Sequence, residues 1–168
     1  KIEFYEVTEE EVIESGLITK SVVVNEGIEK FIDTNTDISR EFELLFESAE
    51  LKRKEIVQSY TDNNVTGVNP LVLVQLPDKS DKEPELVSQI EAYIQEKLHK
   101  TYEDGKLGIW LSDQKRNYLN VHENDNGVEY LIIKQAIATG WDAPRAKILT
   151  KIRENMGDTF TIQTIGRV

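Results

Sequence analysis

Four short apolar runs constrain this chain most. Residues 71–76, 107–111, 130–133 and 147–152 are rich in Leu, Ile and Val, too short for helices, and bounded by polar stretches. A strand covered on both faces reads as a near-continuous apolar run, whereas a strand with one wet face alternates. Between the first two runs Pro84 opens a helix whose stripe is Leu86, Val87, Ile90, Tyr93, Ile94 and Leu98. Asp104-Gly105-Lys106-Leu107 is a turn from that helix into the second strand. Strand and helix in alternation predict an α/β fold, a parallel sheet with flanking helices. Asp158 is placed to cap a last helix through Phe160, Ile162 and Ile165.

The first part of the chain reads differently. Thr8 and Glu11 have capping-box spacing and Gly16 a stop position, which predicts a short helix over 9–15, followed by a β-branched strand at 21–25. From 38 to 60, Phe42, Leu45, Phe46, Ala49, Ile56, Val57 and Tyr60 recur at helical spacing, with Glu50 and Lys54 paired at i, i+4. That predicts a long amphipathic helix, acidic outside. The polar stretch 61–69 reads as a boundary, dividing a connecting segment and helical arm at 1–68 from a main domain at 69–168.

The 168 residues suit one domain with a sizeable core. Cysteine is absent, so disulfides and thiolate metal sites are excluded. There is no long apolar run, so no membrane span or membrane partner is expected, and no signal segment; the absence of cysteine fits a cytoplasmic protein. The first residue is Lys rather than Met, so the chain is expected to be a fragment or a processed piece. Net charge is −11, and residues 1–60 carry 15 acidic against 7 basic side chains. Nucleic-acid proteins are usually basic, so this chain alone is expected to bind DNA poorly.

Two segments carry chemistry. In Gly140-Trp141-Asp142-Ala143-Pro144 a glycine permits close backbone approach, Asp142 offers an acceptor for a ribose hydroxyl, and Pro144 stiffens the exit. Taken alone, the segment also fits a plain turn with Trp141 as a buried plug. Further on, Gln163 and Arg167 at i, i+4 on a helix put an amide and a guanidinium on one face. Arginine is planar and permanently charged, which suits phosphate, although alone Arg167 is also a solvated end-of-helix charge. Ligands in parallel sheets bind beyond the carboxyl ends of the strands, so Lys134, Ser112 and Lys115 become candidates for DNA phosphate by position and charge.

Together, Ala138-Thr139-Gly140-Trp141-Asp142-Ala143-Pro144-Arg145-Ala146 and Gln163-Thr164-Ile165-Gly166-Arg167-Val168 resemble the last two motifs of superfamily 2 helicases and translocases. The phrase around Asp142 is particularly similar to the restriction subunit of type III restriction-modification enzymes. Residues 69–75 resemble the opening strand of that family's second lobe, and Phe4-Tyr5-Glu6-Val7 with Gly16-Leu17-Ile18 resembles the stretch leaving the first lobe. The resemblance implies a second RecA-like lobe of an ATP-dependent DNA motor. It matches Arg167 to an arginine finger and Gln163 to the residue near the γ-phosphate. It matches Asp142 to the aspartate that senses the nucleotide sugar, and Gly140 and Gly166 to motif glycines. The implied partners are double-stranded DNA, a methyltransferase subunit and a first RecA-like lobe, with ATP and Mg2+ held mainly by that first lobe. The sequence departs from the pattern at Thr139, where many relatives carry arginine, and at Lys134, where many carry threonine.

The chain has no Gly-x-x-x-x-Gly-Lys-Ser/Thr loop and no acidic magnesium-holding segment, so on its own it is not expected to hydrolyse ATP. No nuclease-like acidic cluster stands out, which would place DNA cleavage in another domain. His99 and His122 are far apart and read as surface residues rather than a metal pair; Asp33, Asp37 and Glu41 lack calcium-loop spacing. Two alternatives remain: a non-motor acidic module that binds a basic protein, and an RNA helicase lobe of the same superfamily.

Overall fold

The apolar runs become strands, and their neighbours in space are set by which faces must be dry. In this computed structural model the described residues are 23–24, 38–77, 83–134, 142–152 and 162–164, with the backbone alone at 23–24, 38–41 and 162–164. In chain order the elements are β1 (Val23–Val24), α1 (Ile38–Asp62), β2 (Leu71–Gln75), α2 (Glu83–Lys97), β3 (Leu107–Trp110), β4 (Lys115–Arg116), β5 (Tyr130–Ile133), β6 (Ala146–Lys151) and β7 (Ile162–Thr164). They form one seven-stranded sheet in the order β1-β7-β6-β2-β5-β3-β4. The inner four, β6, β2, β5 and β3, are parallel, with Leu73 opposite both Leu131 and Leu149. The outer strands β4, β7 and β1 are antiparallel. The sheet is thus mixed rather than purely parallel, because a tight turn after β3 allows only an antiparallel return.

Side chains alternate across a strand, so each strand feeds two cores. Val72, Val74, Ile109, Tyr130, Ile132 and Ile148 join one cluster with Phe42, Leu45, Phe46 and Ala49 of α1 and Val87, Ile90 and Ile94 of α2. Phe46 and Tyr93 bring the two helices together, with ring centroids 5.3 Å apart. The odd residues Leu71, Leu73, Leu131 and Ile133 join Val121 and Val128 of the β4–β5 connection on the other face. There is accordingly no break in the core at residue 68: the expected arm contributes α1 to the same hydrophobic cluster as the sheet. Glu43, Glu47 and Glu55 lie on the exposed side of α1, as its pattern predicts, but Glu50 faces inward. The helix ends at Asn64, whose left-handed backbone (φ 57°) lets Val65 N–H reach Tyr60 O at 2.8 Å and Asn64 N–H reach Thr61 O at 3.1 Å.

The expected helix after Asp158 is not formed where the chain is described. Residues 162–164 are a strand that pairs with β6 and β1. Thr161, Ile162, Thr164 and Ile165 are β-branched, which favours a pleated surface over a helix. The short helix expected at 9–15 lies outside the described residues, and of the strand at 21–25 only Val23–Val24 is described.

The amino ends of the parallel strands are closed by buried polar groups. Glu129, just before β5, meets Lys100 in a close ion pair and Arg53 at 3.2 Å. Tyr130 donates to Glu50 at 2.9 Å, and Arg53 donates to Pro70 O at 3.1 Å and Asn69 Oδ1 at 2.7 Å. Arg145, fully buried before β6, donates to Asn69 O and Val121 O at 2.7 Å, to Val128 O at 2.8 Å and to Asn126 Oδ1 at 3.2 Å. Buried charges persist only when their hydrogen-bonding capacity is met, and here it is met by opposite charges, by side-chain oxygens and, for Arg145 above all, by backbone carbonyls.

Candidate functional site

With the amino edge occupied by this packing, the opposite, carboxyl edge is the one on which an open α/β sheet receives ligands. Lys134 follows β5 there, beside the exit of β2, where Leu76 N–H donates to Ile133 O at 2.9 Å. Ser112 and Lys115 belong to the tight turn between β3 and β4, closed by Leu111 N–H on Gln114 O at 2.8 Å. Trp110 is in register with Ile133, so this turn lies next to Lys134. The three phosphate candidates therefore share one edge of the sheet, spread over three successive strands, β5, β3 and β4. They are not equally available. Ser112 and Lys115 are exposed, and Lys115 Nζ stands 5.8 Å from the centroid of Tyr118, itself 5.5 Å from that of Trp110. The Lys134 side chain is only 31% exposed and is ion-paired with Glu83 in the first turn of α2.

The chain's connections diverge between β2 and β6. From β2 it runs through α2 to β3, and from β6 it turns the other way to β7. Such a divergence opens a crevice at the carboxyl ends. The described residues at these two strand exits are Gln75, Leu76, Pro77, Lys151 and Ile152, of which Leu76 and Ile152 are buried in the core. One residue back, the Thr150 hydroxyl is buried with no hydrogen-bond partner. Residues 78–82 and 153–161 lie outside the described residues.

The motif residues are distributed as follows. Gly140, Gly166 and Arg167 lie outside the described residues. Gln163 is in β7, its backbone in register with Val24 and Leu149, so the helical i, i+4 face expected for Gln163 and Arg167 is replaced at Gln163 by a strand. Asp142 is exposed and four residues ahead of β6, which puts it near the amino edge, away from Lys134. Three residues on, Arg145 is a structural tie rather than a surface cation. Its guanidinium is held down to about 10, first by burial and then by the neighbouring Arg53.

A shallow groove of about 510 Å3 also runs beside β4, lined in part by Asp104, Lys115, Arg116, Tyr118 and Asn126. Arg116 is already committed there, 2.6 Å from Glu103 and 4.5 Å above the Tyr102 ring. His99 and His122 are both exposed. Among the described residues no group of three or more His, Cys, Asp or Glu is placed to hold a metal, and no helix is long and apolar enough to cross a membrane.

Compared with family models, curated proteins and solved structures, the chain matches none. What stands is an α/β fold with flanking helices, compatible with a RecA-like lobe, and a carboxyl edge carrying Lys134, Ser112 and Lys115. Sequence reasoning missed Glu83 and Arg145. The acid of Glu83 passes for an ordinary first-turn helix charge beside Pro84, and Arg145 is hidden inside a phrase whose Gly and Asp draw the attention.

Proposed function

We propose that this chain is the second motor lobe of an ATP-dependent translocase on double-stranded DNA, of the type III restriction kind. The observation that supports the reading is that Lys134, Ser112 and Lys115 all lie along the carboxyl edge of the sheet, spread over β5, the β3–β4 turn and the start of β4. A DNA strand is held in register by such phosphate contacts, from lysine and from small hydroxyls alike. In this reading ATP lies between this lobe and a first RecA-like lobe, which supplies most of the ATP and Mg2+ contacts. Arg167 reaches the γ-phosphate across the cleft, with Gln163 beside it, and Gly140 and Gly166 let backbone approach the nucleotide. Asp142 fits a sugar hydroxyl in one respect: it is exposed and, among the described residues, has no hydrogen-bond or ion-pair partner. Its place near the amino edge gives the link from nucleotide to DNA track no such support. A methyltransferase subunit would supply site recognition to the assembled enzyme.

The test is ATP hydrolysis by the motor that carries this lobe, with and without duplex DNA, beside its Arg167→Ala variant. Loss of an arginine finger lowers turnover on the order of a thousandfold or more. DNA-stimulated turnover that survives Arg167→Ala removes the arginine from its role. A wild type with no turnover favours the acidic binding module, for which the exposed Glu43, Glu47 and Glu55 of α1, with exposed Leu51 and Val57, are the supporting surface.

A further inference from the structure

Lys134 is the phosphate candidate that the structure does not leave open. Its ammonium is ion-paired with the Glu83 carboxylate, and Glu83 is its only ion-pair partner among the described residues. Both side chains are largely withdrawn from water, at 31% and 23% exposure, so the pair is screened less than a surface pair. The contact bridges two strand exits. Glu83 starts α2, the helix entered from β2, while Lys134 leaves β5, and these two strands are hydrogen-bonded up to Leu76 and Ile133. A carboxylate thus sits on the ammonium at the edge of the sheet where a phosphate oxygen would sit.

We propose that Glu83 is an internal competitor for the anion that Lys134 takes from the DNA backbone. The proposal rests on the motor reading above and deepens it by naming a regulatory contact at the same site. With no DNA, Glu83 holds Lys134 against the start of α2. When a phosphate arrives, the ammonium exchanges one oxygen anion for another, and Glu83 is released toward solvent. Because the exchange replaces one ion pair by another, it is close to balanced, so a modest change in the strength of the Glu83 contact decides which anion wins. Such a lysine grips DNA in one arrangement of the lobe and lets go in the other, which a stepping motor requires.

The experiment is duplex binding by the complete motor as a function of salt, for wild type, Glu83→Gln, Lys134→Ala and the double variant, with thermal melting of each. Removing the competitor is expected to tighten duplex binding about three- to fivefold at low salt, the scale of a partly exposed ion pair. It should also steepen the plot of log K against log salt by up to about one ion. In the Lys134→Ala background the Glu83→Gln change should do nothing. Gln keeps the shape of the side chain, and Glu85 still places an acid in the first turn of α2, so the variant should melt near the wild type. Unchanged or weaker binding by Glu83→Gln, in a wild type that binds duplex and hydrolyses ATP, overturns the competitor and leaves the motor reading standing. A wild type that neither binds duplex nor hydrolyses ATP overturns both.

Discussion

Replacing Arg145 by methionine should remove a large share of this domain's stability. The guanidinium is fully buried, and among the described residues no carboxylate pairs with it. Its acceptors come from two separate parts of the chain: Asn69 O before β2, and Val121 O, Asn126 Oδ1 and Val128 O from the β4–β5 connection, at 2.7 to 3.2 Å. Methionine fills most of the volume and donates nothing. Each buried carbonyl left without a donor costs about 1–3 kcal/mol. Three such carbonyls set a gross loss of about 3–9 kcal/mol, offset in part because an unpaired cation no longer has to be buried. A net loss of about 2–4 kcal/mol follows, against a total of about 5–15 kcal/mol for a domain. Urea unfolding should show this as a lower midpoint at unchanged slope, and thermal melting as a drop of about 5–15 °C. Limited proteolysis should cut first within 117–128, the stretch that loses its tie. Arg145→Lys keeps the charge and up to three donors on one nitrogen, so it should lose less. A methionine variant within about 0.5 kcal/mol of the wild type would refute the assignment of Arg145 as the clasp of the amino edge.

Two further outcomes follow from the packing. Tyr130 is pushed above the ordinary phenol range by burial and then by Glu50, Tyr102 is raised by burial and then by Glu91, and Tyr93 is raised to about 12 by burial, then by Glu47 and Glu43. Unfolded phenols ionise near pH ~10 while the folded ones stay neutral, so this stability is complete below about pH 10 and is lost as pH rises above it. Urea midpoints taken between about pH 8 and 11 should fall steeply at the alkaline end, and Tyr130→Phe should flatten that fall by up to about 1.4 kcal/mol per pH unit; an identical slope in the variant would count against it. Gly108→Ala should destabilise by about 1–3 kcal/mol in thermal or urea unfolding. A Cβ there would meet Asn117 O at 2.9 Å and Leu131 Cδ1 at 3.0 Å, and Asn117 is pinned by its amide on Tyr102 O at 2.7 Å and Leu107 O at 2.9 Å. An alanine variant as stable as the wild type would mean the β3–β4 hairpin yields more easily than those bonds allow.

What was legible in the sequence was whatever burial writes locally. Residues 71–76 and 130–133 read as strands because water is excluded on both sides, and α1 and α2 read as helices because only one side of each meets the sheet. β4 was not legible, since Lys115 and Arg116 form a two-residue edge strand with both side chains exposed and no apolar pattern. β7 reads as a helix in the sequence because Phe160, Ile162 and Ile165 fit a helical face, whereas the β-branched Thr161 and Thr164 beside them favour a strand. Burial of Glu50, Glu129 and Arg145 was out of reach for a different reason. Periodicity assigns charged residues to the wet side, and what overrides it here is a set of partners up to 80 positions away, as for Tyr130 and Glu50. Of the candidate site, the edge on which Lys134, Ser112 and Lys115 lie was legible from strand-end position, and charge singled them out there. The clamp on Lys134 was not, because Glu83 reaches it across 51 positions.

The two edges of the sheet divide the labour, and that division makes the two central proposals separable. The amino edge holds Arg53, Arg145, Glu129 and Asn69 in a network of ion pairs and hydrogen bonds to backbone and to one another, so these groups are committed to structure. The carboxyl edge holds Lys134 with one exchangeable partner, and Ser112 and Lys115 in the open. A change at the first edge should therefore move unfolding midpoints and leave the salt slope of duplex binding alone, since Arg145 touches no surface. A change at Glu83 should do the reverse. If Arg145→Met and Glu83→Gln instead shifted melting and salt slope together, the two edges would be one coupled unit, and phosphate binding at Lys134 would depend on the clasp at the far end of the strands.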